Sequence, residues 1–238
     1  MRTEIYIIDS QSPEVADRLK NPDSFSAYRA KRIMSARQGQ TRLLLVSAGI
    51  AVEAGVRYFG LAEKDLVFGT TGHGKPFVEG HPEIIFNISH SGRYCAAAFV
   101  HPDEAFSTEG NAGTYPGEDY SVGIDVEQID RMNERIASVA LNDKGFADSD
   151  PQKDMCRRWT AREAFVKCIG TGLSSIREDF HFEKTPSGHI RLCQEIYDGE
   201  FILMEPKAPD GYCITVIIRK RRPDRWIGKN DTAIQLHS

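Results

Sequence analysis

Apolar and polar residues follow patterns along the chain that predict a mixed α+β fold. A short first strand is predicted at residues 4–8, and two helices rich in helix-forming residues are predicted at 24–37 and 42–58. The second helix is mostly apolar, so we expect it in the core. Short β segments punctuated by Gly and Pro follow at residues 67–68, 77–78, 84–88 and 94–100.

The order strand, helices, strands recurs in the second half of the chain. The predicted elements there are a strand at 121–127, helices within 132–168, and strands at 181–182, 190–192, 200–204 and 212–218. Both halves end on a Tyr-Cys-apolar strand, beginning at Tyr94 and at Tyr212. This pattern favours two similar α+β halves, although chance similarity between two α+β segments explains it equally well.

Composition places a boundary between the halves. Residues 101–121 contain five acidic residues, no Lys or Arg, three Gly and two Pro, which is typical of an exposed connector. We therefore predict four segments: an N-terminal half at 1–103, an acidic connector at 104–120, a C-terminal half at 121–222, and a basic tail at 223–238.

Charge and cysteine content exclude several classes of partner and compartment. The net charge of −4 produces no overall attraction to nucleic acid or anionic lipid, so we expect neither as a partner. Five cysteines without a C-x-x-C pair are typical of a protein in the reducing cytoplasm. The first ten residues lack the apolar stretch of a secretory signal, and the longest weakly polar run, 43–52, is half the ~20 residues of a membrane span.

Two Gly- or Ser-containing motifs in the first half suit phosphate contacts. GTTGHGKP, residues 69–76, resembles a P-loop, but Pro76 replaces the Ser or Thr that ligates magnesium, and a strand-like segment follows. A P-loop hydrolase is therefore excluded, although Lys75 can still contact a phosphate as a point charge. NISHSG, residues 87–92, lacks the G-x-S-x-G of serine hydrolases, and its side chains suit phosphate contacts or an ordinary turn.

Acidic residues in the second half suggest a cation site. In the strand GIDVE, residues 123–127, alternation places Asp125 and Glu127 on one face, where their charges repel over roughly 6–7 Å. A hard cation, magnesium or manganese rather than zinc, would compensate them, but a D-x-E motif alone is more often a solvent-facing pair. In the helical run 157–167, Glu163 and Lys167 form either a weak surface ion pair or a third carboxylate with a phosphate-directed ammonium group.

Four motifs occurring in order, GKP, FNISHS, GIDVE and W-x-x-R-E-A-x-x-K, resemble those of the Sfp-type 4'-phosphopantetheinyl transferase family over residues 74–167. The resemblance implies two similar α+β halves related by a pseudo-twofold, with the active site at their interface. It also implies magnesium-dependent transfer of phosphopantetheine from coenzyme A to a serine of an apo acyl or peptidyl carrier protein. Adenosine 3',5'-bisphosphate would be released, as in holo-[acyl-carrier-protein] synthases.

The resemblance further implies roles for individual residues. Asp125, Glu127 and Glu163 would surround the magnesium, so the C-terminal half would carry the metal site. Glu163 or Glu127, directly or through water, would accept the serine proton, and Lys167 would neutralise the departing phosphate. Contacts to coenzyme A are implied for Arg42, Lys75, Ser89 and His90, and by a looser match for Lys31 and Arg37.

Two features depart from the family pattern and concern the carrier protein. Arg162 stands where the family has a lysine, and residues 138–150 replace a Phe-rich segment that borders the carrier surface. We expect a set of basic residues on neighbouring helical faces, where they would meet an acidic carrier helix or solvent: Lys153, Arg157, Arg158 and Arg162.

Other functions remain open at this point. A non-catalytic module that binds coenzyme A or a carrier protein is the main alternative, and a magnesium-dependent phosphodiesterase using the same carboxylates is a third. Because both halves lie in one chain, we expect a monomer to contain the whole site.

Overall fold

The computed structural model describes residues 1–102, 119–133, 146, 148–172, 180–186 and 190–221, where the predicted α+β order is found. The strands are β1 Arg2–Asp9, β2 Phe68–Thr70, β3 Pro76–Val78, β4 Ile85–Ser91, β5 Tyr94–His101, β6 Tyr120–Gln128, β7 Phe180–Lys184, β8 Ile190–Gln194, β9 Glu200–Met204 and β10 Tyr212–Lys220. The α-helices are α1 Pro13–Leu19, α2 Ala27–Ser35, α3 Gly39–Val56 and α4 Pro151–Ile169.

The two larger sheets have the same topology. In the first, the strand order is β1-β5-β4, and in the second it is β6-β10-β9, with all pairs antiparallel. In each, the first strand of the half pairs with the last one, which pairs with the strand before it. The expectation of two similar α+β halves is thereby confirmed. The connector at 104–120 and the tail at 223–238 lie almost wholly outside the described residues, so the four-segment division stays a prediction.

Alternation along the strands gives each sheet two apolar faces. Ala96, Ala98 and Val100 of β5 pack in one cluster with residues of β6 and β10, so the two sheets share a core. The intervening Ala97 and Phe99 face α3 instead. On the second sheet, α4 covers the opposite face, where Phe165 packs with Ile217 and other residues.

The short helix α1 was not predicted from the sequence. Ser12 caps it by accepting a hydrogen bond from the backbone amide of Val15, and Pro13 occupies its first turn. Val15 is fully buried and anchors the helix on a cluster with Phe25 and Ile33. The Ser-Pro signal is present in the sequence, but a seven-residue helix has too little apolar periodicity to be recognised by pattern alone.

The GTTGHGKP segment forms a hairpin rather than a phosphate-binding loop before a helix. Its ends lie in β2 and β3, which pair from Phe68 opposite Val78 to Thr70 opposite Pro76. The amide of Thr71 donates to the carbonyl of Lys75, and Gly74 adopts a φ of 84° in the turn. The exclusion of a P-loop is therefore confirmed.

None of the helices in the described ranges has both the length and the apolar character needed to span a membrane.

The helix α4 begins at a clear cap and lies very close to β6. Asp150 accepts hydrogen bonds from the amides of Gln152 and Lys153, and Gly170 ends the helix in a left-handed conformation with φ 77°. At the crossing, a methyl group on Gly123 would lie 2.0 Å from the carbonyl oxygen of Ala164. Glycine at position 123 is what allows the backbone of β6 and α4 to approach this closely.

We expect Gly123→Ala to lower the free energy of unfolding by roughly 1–3 kcal/mol, because the added methyl forces α4 away from β6. Gly39→Ala is the matched control, since a methyl group there meets no atom within 4 Å. The control should be neutral or up to about 1 kcal/mol more stable. Chemical denaturation measures both, and equal unfolding free energies for the two variants would contradict the packing argument.

Candidate functional site

The predicted carboxylates lie where the last residues of β4, the middle of β6 and the inner face of α4 meet. Strand β4 contacts β6 through side chains in a regular register. The amide oxygen of Asn87 accepts from the backbone amide of Ile124 at 3.0 Å, deep in the core. Two and four residues further along β4, Ser89 and Ser91 each donate a hydrogen bond to a carboxylate of β6. The first half thus positions acidic side chains of the second.

Asp125 is a nearly fully buried carboxylate whose two oxygens differ in their hydrogen bonds. Its Oδ1 accepts from Ser89 Oγ at 2.7 Å and from Lys167 Nζ at 2.5 Å. Its Oδ2 is buried and accepts no hydrogen bond from the described residues. A buried carboxylate oxygen without a donor is costly, unless a cation or ligand completes it.

Glu127 lies two residues along β6 from Asp125, as the alternation predicts. Its Oε2 accepts from Ser91 Oγ at 2.6 Å. Burial raises its pKa, and the negative charge of Asp125 adds to the increase, while Ser91 and Lys167 oppose it. The two carboxylates are close enough to repel, which is the behaviour expected of cation ligands without their cation.

Glu163 supplies the third carboxylate from α4. Burial raises its pKa to about 7, and the charges of Asp125 and Glu127 contribute, with Lys167 acting in the opposite direction. The side chain is 6% exposed. The interpretation of Glu163 and Lys167 as a surface ion pair is therefore wrong, since Glu163 is buried and Lys167 pairs with Asp125.

These side chains fit a hard divalent cation in their chemistry. Three carboxylates are close enough to shift one another's pKa, Asp125 has a buried oxygen that accepts no hydrogen bond from the described residues, and neither His nor Cys is among these donors, as magnesium or manganese prefers. The ligand atoms of Asp125, Glu127 and Glu163 are not among the sets that lie within 4.8 Å of one another in the described residues. Lys167 Nζ instead compensates Asp125 in this arrangement.

A cavity of about 270 Å³ opens beside these groups. It is lined by Glu163 and Lys167 on one side and by the turn residues His73, Gly74 and Lys75 on the other. A larger cavity of about 660 Å³ shares Lys75 and Pro76 with it but includes none of the three carboxylates. The smaller cavity is thus the one in which a phosphate ligand would meet the acidic cluster.

Among the residues expected to contact coenzyme A, Lys75, Ser89 and His90 lie near the carboxylates. Lys75 Nζ donates to the carbonyl of Val122 at 2.8 Å, and burial lowers its pKa. His90 is solvent-accessible at the end of β4, and desolvation and the charge of Lys167 lower its pKa. Lys75 lines the smaller cavity, but its ammonium is directed at backbone carbonyls.

The other three candidates lie on the surface of the helical segment of the first half. Arg42 is exposed on α3, and its Nε donates to the carbonyl of Ala36 at 2.9 Å. Lys31 on α2 and Arg37 after it are both exposed. None of the three touches the carboxylate cluster, so their contacts with coenzyme A remain predictions.

The expected basic face toward a carrier protein is partly wrong. Arg162 is 2% exposed, and its guanidinium lies over the ring of Phe180 at 4.9 Å, so it cannot meet a partner. Arg157 forms a two-point ion pair with Glu205, with both N···O distances at 2.7 Å. The prediction is wrong for Arg162, because periodicity does not show that β7 covers this part of α4, and it stays a prediction for Lys153, Arg157 and Arg158.

Ser91 and Asn87 are contacts that the sequence reasoning missed. Both are two residues from Ser89 in β4, so period-2 alternation places all three on one face of the strand. The signal was in the NISHS motif, but its interpretation as an ordinary turn concealed the strand. The structure places the motif within β4, so that interpretation is wrong.

Comparison with known protein families matches residues 121–217 to the 4'-phosphopantetheinyl transferase superfamily. A 4'-phosphopantetheinyl transferase of Bacillus subtilis is 28% identical over 152 residues, covering 61% of this chain and 59% of that protein. Over the parts that these matches cover, the chain is similar to Sfp-type 4'-phosphopantetheinyl transferases. The resemblance found in the four motifs is thereby confirmed.

Further relatives give the extent of the similarity. Sfp of Bacillus subtilis strain 168 is 28% identical, covering 57% of this chain and 55% of Sfp. A second transferase of Bacillus subtilis, ffp, is 25% identical, covering 92% of both chains. The matches span 59%, 55% and 64% of the length of the first three curated relatives.

Two solved structures are also similar. A holo-(acyl-carrier-protein) synthase of Bacillus anthracis in complex with CoA has 18% identity and a TM-score of 0.33, covering 42% of this chain and 96% of that one. The corresponding synthase of Thermotoga maritima has 25% identity and a TM-score of 0.34, covering 42% of this chain and 63% of that one.

The raised pKa of Glu163 predicts a pH-dependent stability in the presence of a chelator. The folded protein holds this proton up to about pH 7, whereas the unfolded chain releases it near its ordinary value of 4.5. The free energy of unfolding should therefore fall by about 1–3 kcal/mol as pH rises between those values. Glu163→Gln should make this decrease smaller, since glutamine does not titrate and the raised pKa of Glu127 then contributes alone.

Denaturation at a series of pH values measures the slope. Glu79→Gln is the control, because Glu79 is exposed and follows β3, which supplies none of the three carboxylates. The control should keep the slope of the unchanged protein. Parallel slopes for Glu163→Gln and the unchanged protein would show that Glu163 does not titrate in this range.

Proposed function

We propose that the protein transfers the 4'-phosphopantetheine group from coenzyme A to a serine hydroxyl of an apo acyl or peptidyl carrier protein. The observation that carries the proposal is the cluster formed by the buried carboxylates of Asp125 and Glu163 and the half-buried carboxylate of Glu127, with Lys167 at its edge. Such a cluster is expensive to maintain in a core without a compensating charge. Similarity to 4'-phosphopantetheinyl transferases supports the same assignment.

Magnesium is the cation that the proposal includes, held by Asp125, Glu127 and Glu163. When bound, it would neutralise negative charge on the pyrophosphate during transfer. The Oδ2 atom of Asp125 supports this choice, because it is buried and accepts no hydrogen bond from the described residues that a cation would have to displace. Ser89 and Ser91 keep the two β6 carboxylates oriented through their hydroxyl hydrogen bonds.

In the proposed reaction, the carrier serine oxygen forms a bond to the phosphorus next to the pantetheine, and the bond from that phosphorus to the bridging oxygen breaks. Adenosine 3',5'-bisphosphate leaves with the electron pair. Glu163 or Glu127, directly or through water, accepts the serine proton. The pKa values of both are raised, toward the pH at which a general base is effective.

Lys167 is proposed to stabilise the leaving phosphate. Its ammonium lies 3.0 Å from Ser89 Oγ and reaches Asp125 from a rigid helix, so it projects into the cavity that faces the turn at His73–Pro76. Placement on a helix limits the positions that the ammonium can adopt. Arg42, Lys75, Ser89, His90, Lys31 and Arg37 remain the proposed coenzyme A contacts.

The proposal extends to the reaction type, the cellular location, the oligomeric state and the partners of the protein. We include the holo-[acyl-carrier-protein] synthase type of reaction, a cytoplasmic location, a monomeric enzyme, and no nucleic-acid or membrane partner. The shared core of the two sheets supports a site completed within one chain. The absence of a strong net charge supports the lack of a nucleic-acid partner.

A non-catalytic module that binds coenzyme A or a carrier protein is the second candidate. One observation favours it, namely that Lys167 Nζ occupies Asp125 Oδ1 and so already compensates that carboxylate. In such a module, the lysine would remain in place and no cation would be required. The two candidates differ in whether the carrier serine is modified.

We expect intact-mass spectrometry to show a gain of one phosphopantetheinyl group on apo carrier proteins, dependent on coenzyme A and magnesium. Asp125→Ala should reduce the rate at least about 100-fold, because the buried oxygens that hold the cation are lost. Glu200→Gln, an exposed carboxylate at the start of β9, should leave the rate unchanged. The measurement uses the full chain and a panel of carriers from several pathways.

Two results would contradict the transferase proposal. If no carrier gains mass while coenzyme A still binds, the protein is a binding module. If coenzyme A is cleaved without carrier modification, water is the nucleophile and the protein is a phosphodiesterase. Equal rates for Asp125→Ala and the unchanged protein would remove the carboxylate cluster from the mechanism.

Ser91→Ala should weaken magnesium binding and so raise the magnesium concentration for half-maximal rate about 10-fold to 100-fold. The hydroxyl holds Glu127 in place, and loss of such an orienting partner typically has this effect on metal affinity. Ser35→Ala is the control, because that exposed hydroxyl bonds only the carbonyl of Arg32 among the described residues. A rate reduced equally at all magnesium concentrations would contradict an orienting role.

A further inference from the structure

The hairpin of β7 and β8 presents a polar outer face that the transfer reaction does not use. Alternate residues point inward, where Phe180, Phe182 and Ile190 pack with Phe165 and its neighbours. Period-2 alternation therefore directs the intervening side chains outward. These outward residues are His181, Glu183, Arg191 and Cys193.

Register brings three potential metal ligands together on this face. His181 lies directly opposite Cys193 in the ladder, and Glu183 is two residues from His181 on the same strand. His181 Nε2 is 3.1 Å from Glu183 Oε1. The ligand atoms of His181, Glu183 and Cys193 all lie within 4.8 Å of one another, and in the described part of the chain they alone form such a set of three.

Cys193 also differs from the remaining cysteines. The other four are buried, as expected for thiols that act as small apolar side chains, but Cys193 is partly accessible. Its thiol interacts with both Glu183 and Arg191. The surroundings of Cys193 are instead an imidazole, a carboxylate and a guanidinium.

We propose that His181, Glu183 and Cys193 bind one zinc ion. Imidazole nitrogen, thiolate sulfur and carboxylate oxygen are the three ligand types that zinc accepts, and they leave a fourth tetrahedral position for water. A thiolate ligand selects zinc over magnesium, so this site is chemically distinct from the acidic cluster at Asp125. Binding releases the thiol proton to solvent and requires no further reactant.

Arg191 orients the carboxylate of Glu183 for zinc binding. Its Nη2 lies 3.0 Å from Glu183 Oε2, on the oxygen that does not face His181. The zinc would take Oε1 in place of the His181 hydrogen bond, while Arg191 keeps Glu183 oriented from outside the coordination sphere.

The test is a titration of the full chain with cobalt(II), which replaces zinc and reports thiolate ligation through its absorption spectrum. Saturating magnesium is present to occupy the acidic cluster. We expect one equivalent of cobalt to produce a thiolate-to-metal charge-transfer band, which zinc then abolishes. Cys193→Ser should eliminate the band, and His181→Gln should weaken cobalt binding at least about 10-fold.

A second histidine provides a matched control. His81 and Glu83 have the same spacing of two residues, with Nδ1 and Oε1 2.9 Å apart, but are not among the described sets of three ligands. His81→Gln should leave cobalt binding unchanged. Circular dichroism of each variant shows whether the protein is still folded, and both histidines are at accessible positions.

Three results would overturn the proposal. One is the absence of a charge-transfer band in the unchanged protein, and another is a band that persists in Cys193→Ser. The third is cobalt binding that His181→Gln and His81→Gln reduce equally. None of these depends on transferase activity, so the zinc proposal and the transferase proposal fail independently.

Discussion

The geometry of the site depends on the buried carboxylate of Asp125. A charged group at 2% exposure requires partners, and it obtains them from two other elements: Ser89 on β4 and Lys167 on α4. Since both bond the same oxygen, Oδ1, the requirement brings β4 and α4 to β6 at one point. The second oxygen is left buried and unpartnered among the described residues, which is the feature that a cation would satisfy.

This arrangement explains why the site lies between the two halves. The sheets pack face to face through a common apolar core, and side chains of β4 extend to β6 at the edge of that core. Polar contacts there are shielded from water, so they are stronger and more demanding than contacts on the surface. A cluster of like charges can be held in such a place, and there burial first and mutual repulsion second raise the pKa of Glu163 and of Glu127.

Helix α4 packs against the sheet with one face and supplies functional groups to the cavity with another. Ala164 and Phe165 are fully buried, and Ala164 meets Gly123 so closely that no side chain fits between helix and strand. Glu163, the residue before Ala164, faces the cavity instead, and so does Lys167, which lies one turn after Glu163. Tight packing of the helix against the sheet fixes where these two functional groups lie, so the core determines the precision of the site.

Local pattern was sufficient for the strands, for the apolar helix α3 and for the placement of Asp125 and Glu127 on one face, because each depends on residues close in sequence. It was insufficient for α1, which is short and held mainly by the burial of Val15. It also failed for Arg162, whose burial depends on β7, a strand distant in sequence. The motifs were recognisable in order, yet their order does not show which atoms meet.

By itself, the sequence determined the two α+β halves, the family motifs and the types of side chain available for chemistry. Only the tertiary structure decided that Lys167 bonds Asp125, that Ser91 holds Glu127, and that Lys75 is directed at a backbone carbonyl. It likewise brought Cys193 opposite His181, although the two are twelve residues apart. The physical reason is that side-chain type and periodicity are local properties, whereas desolvation, hydrogen bonding and charge repulsion depend on which elements the shared core brings together.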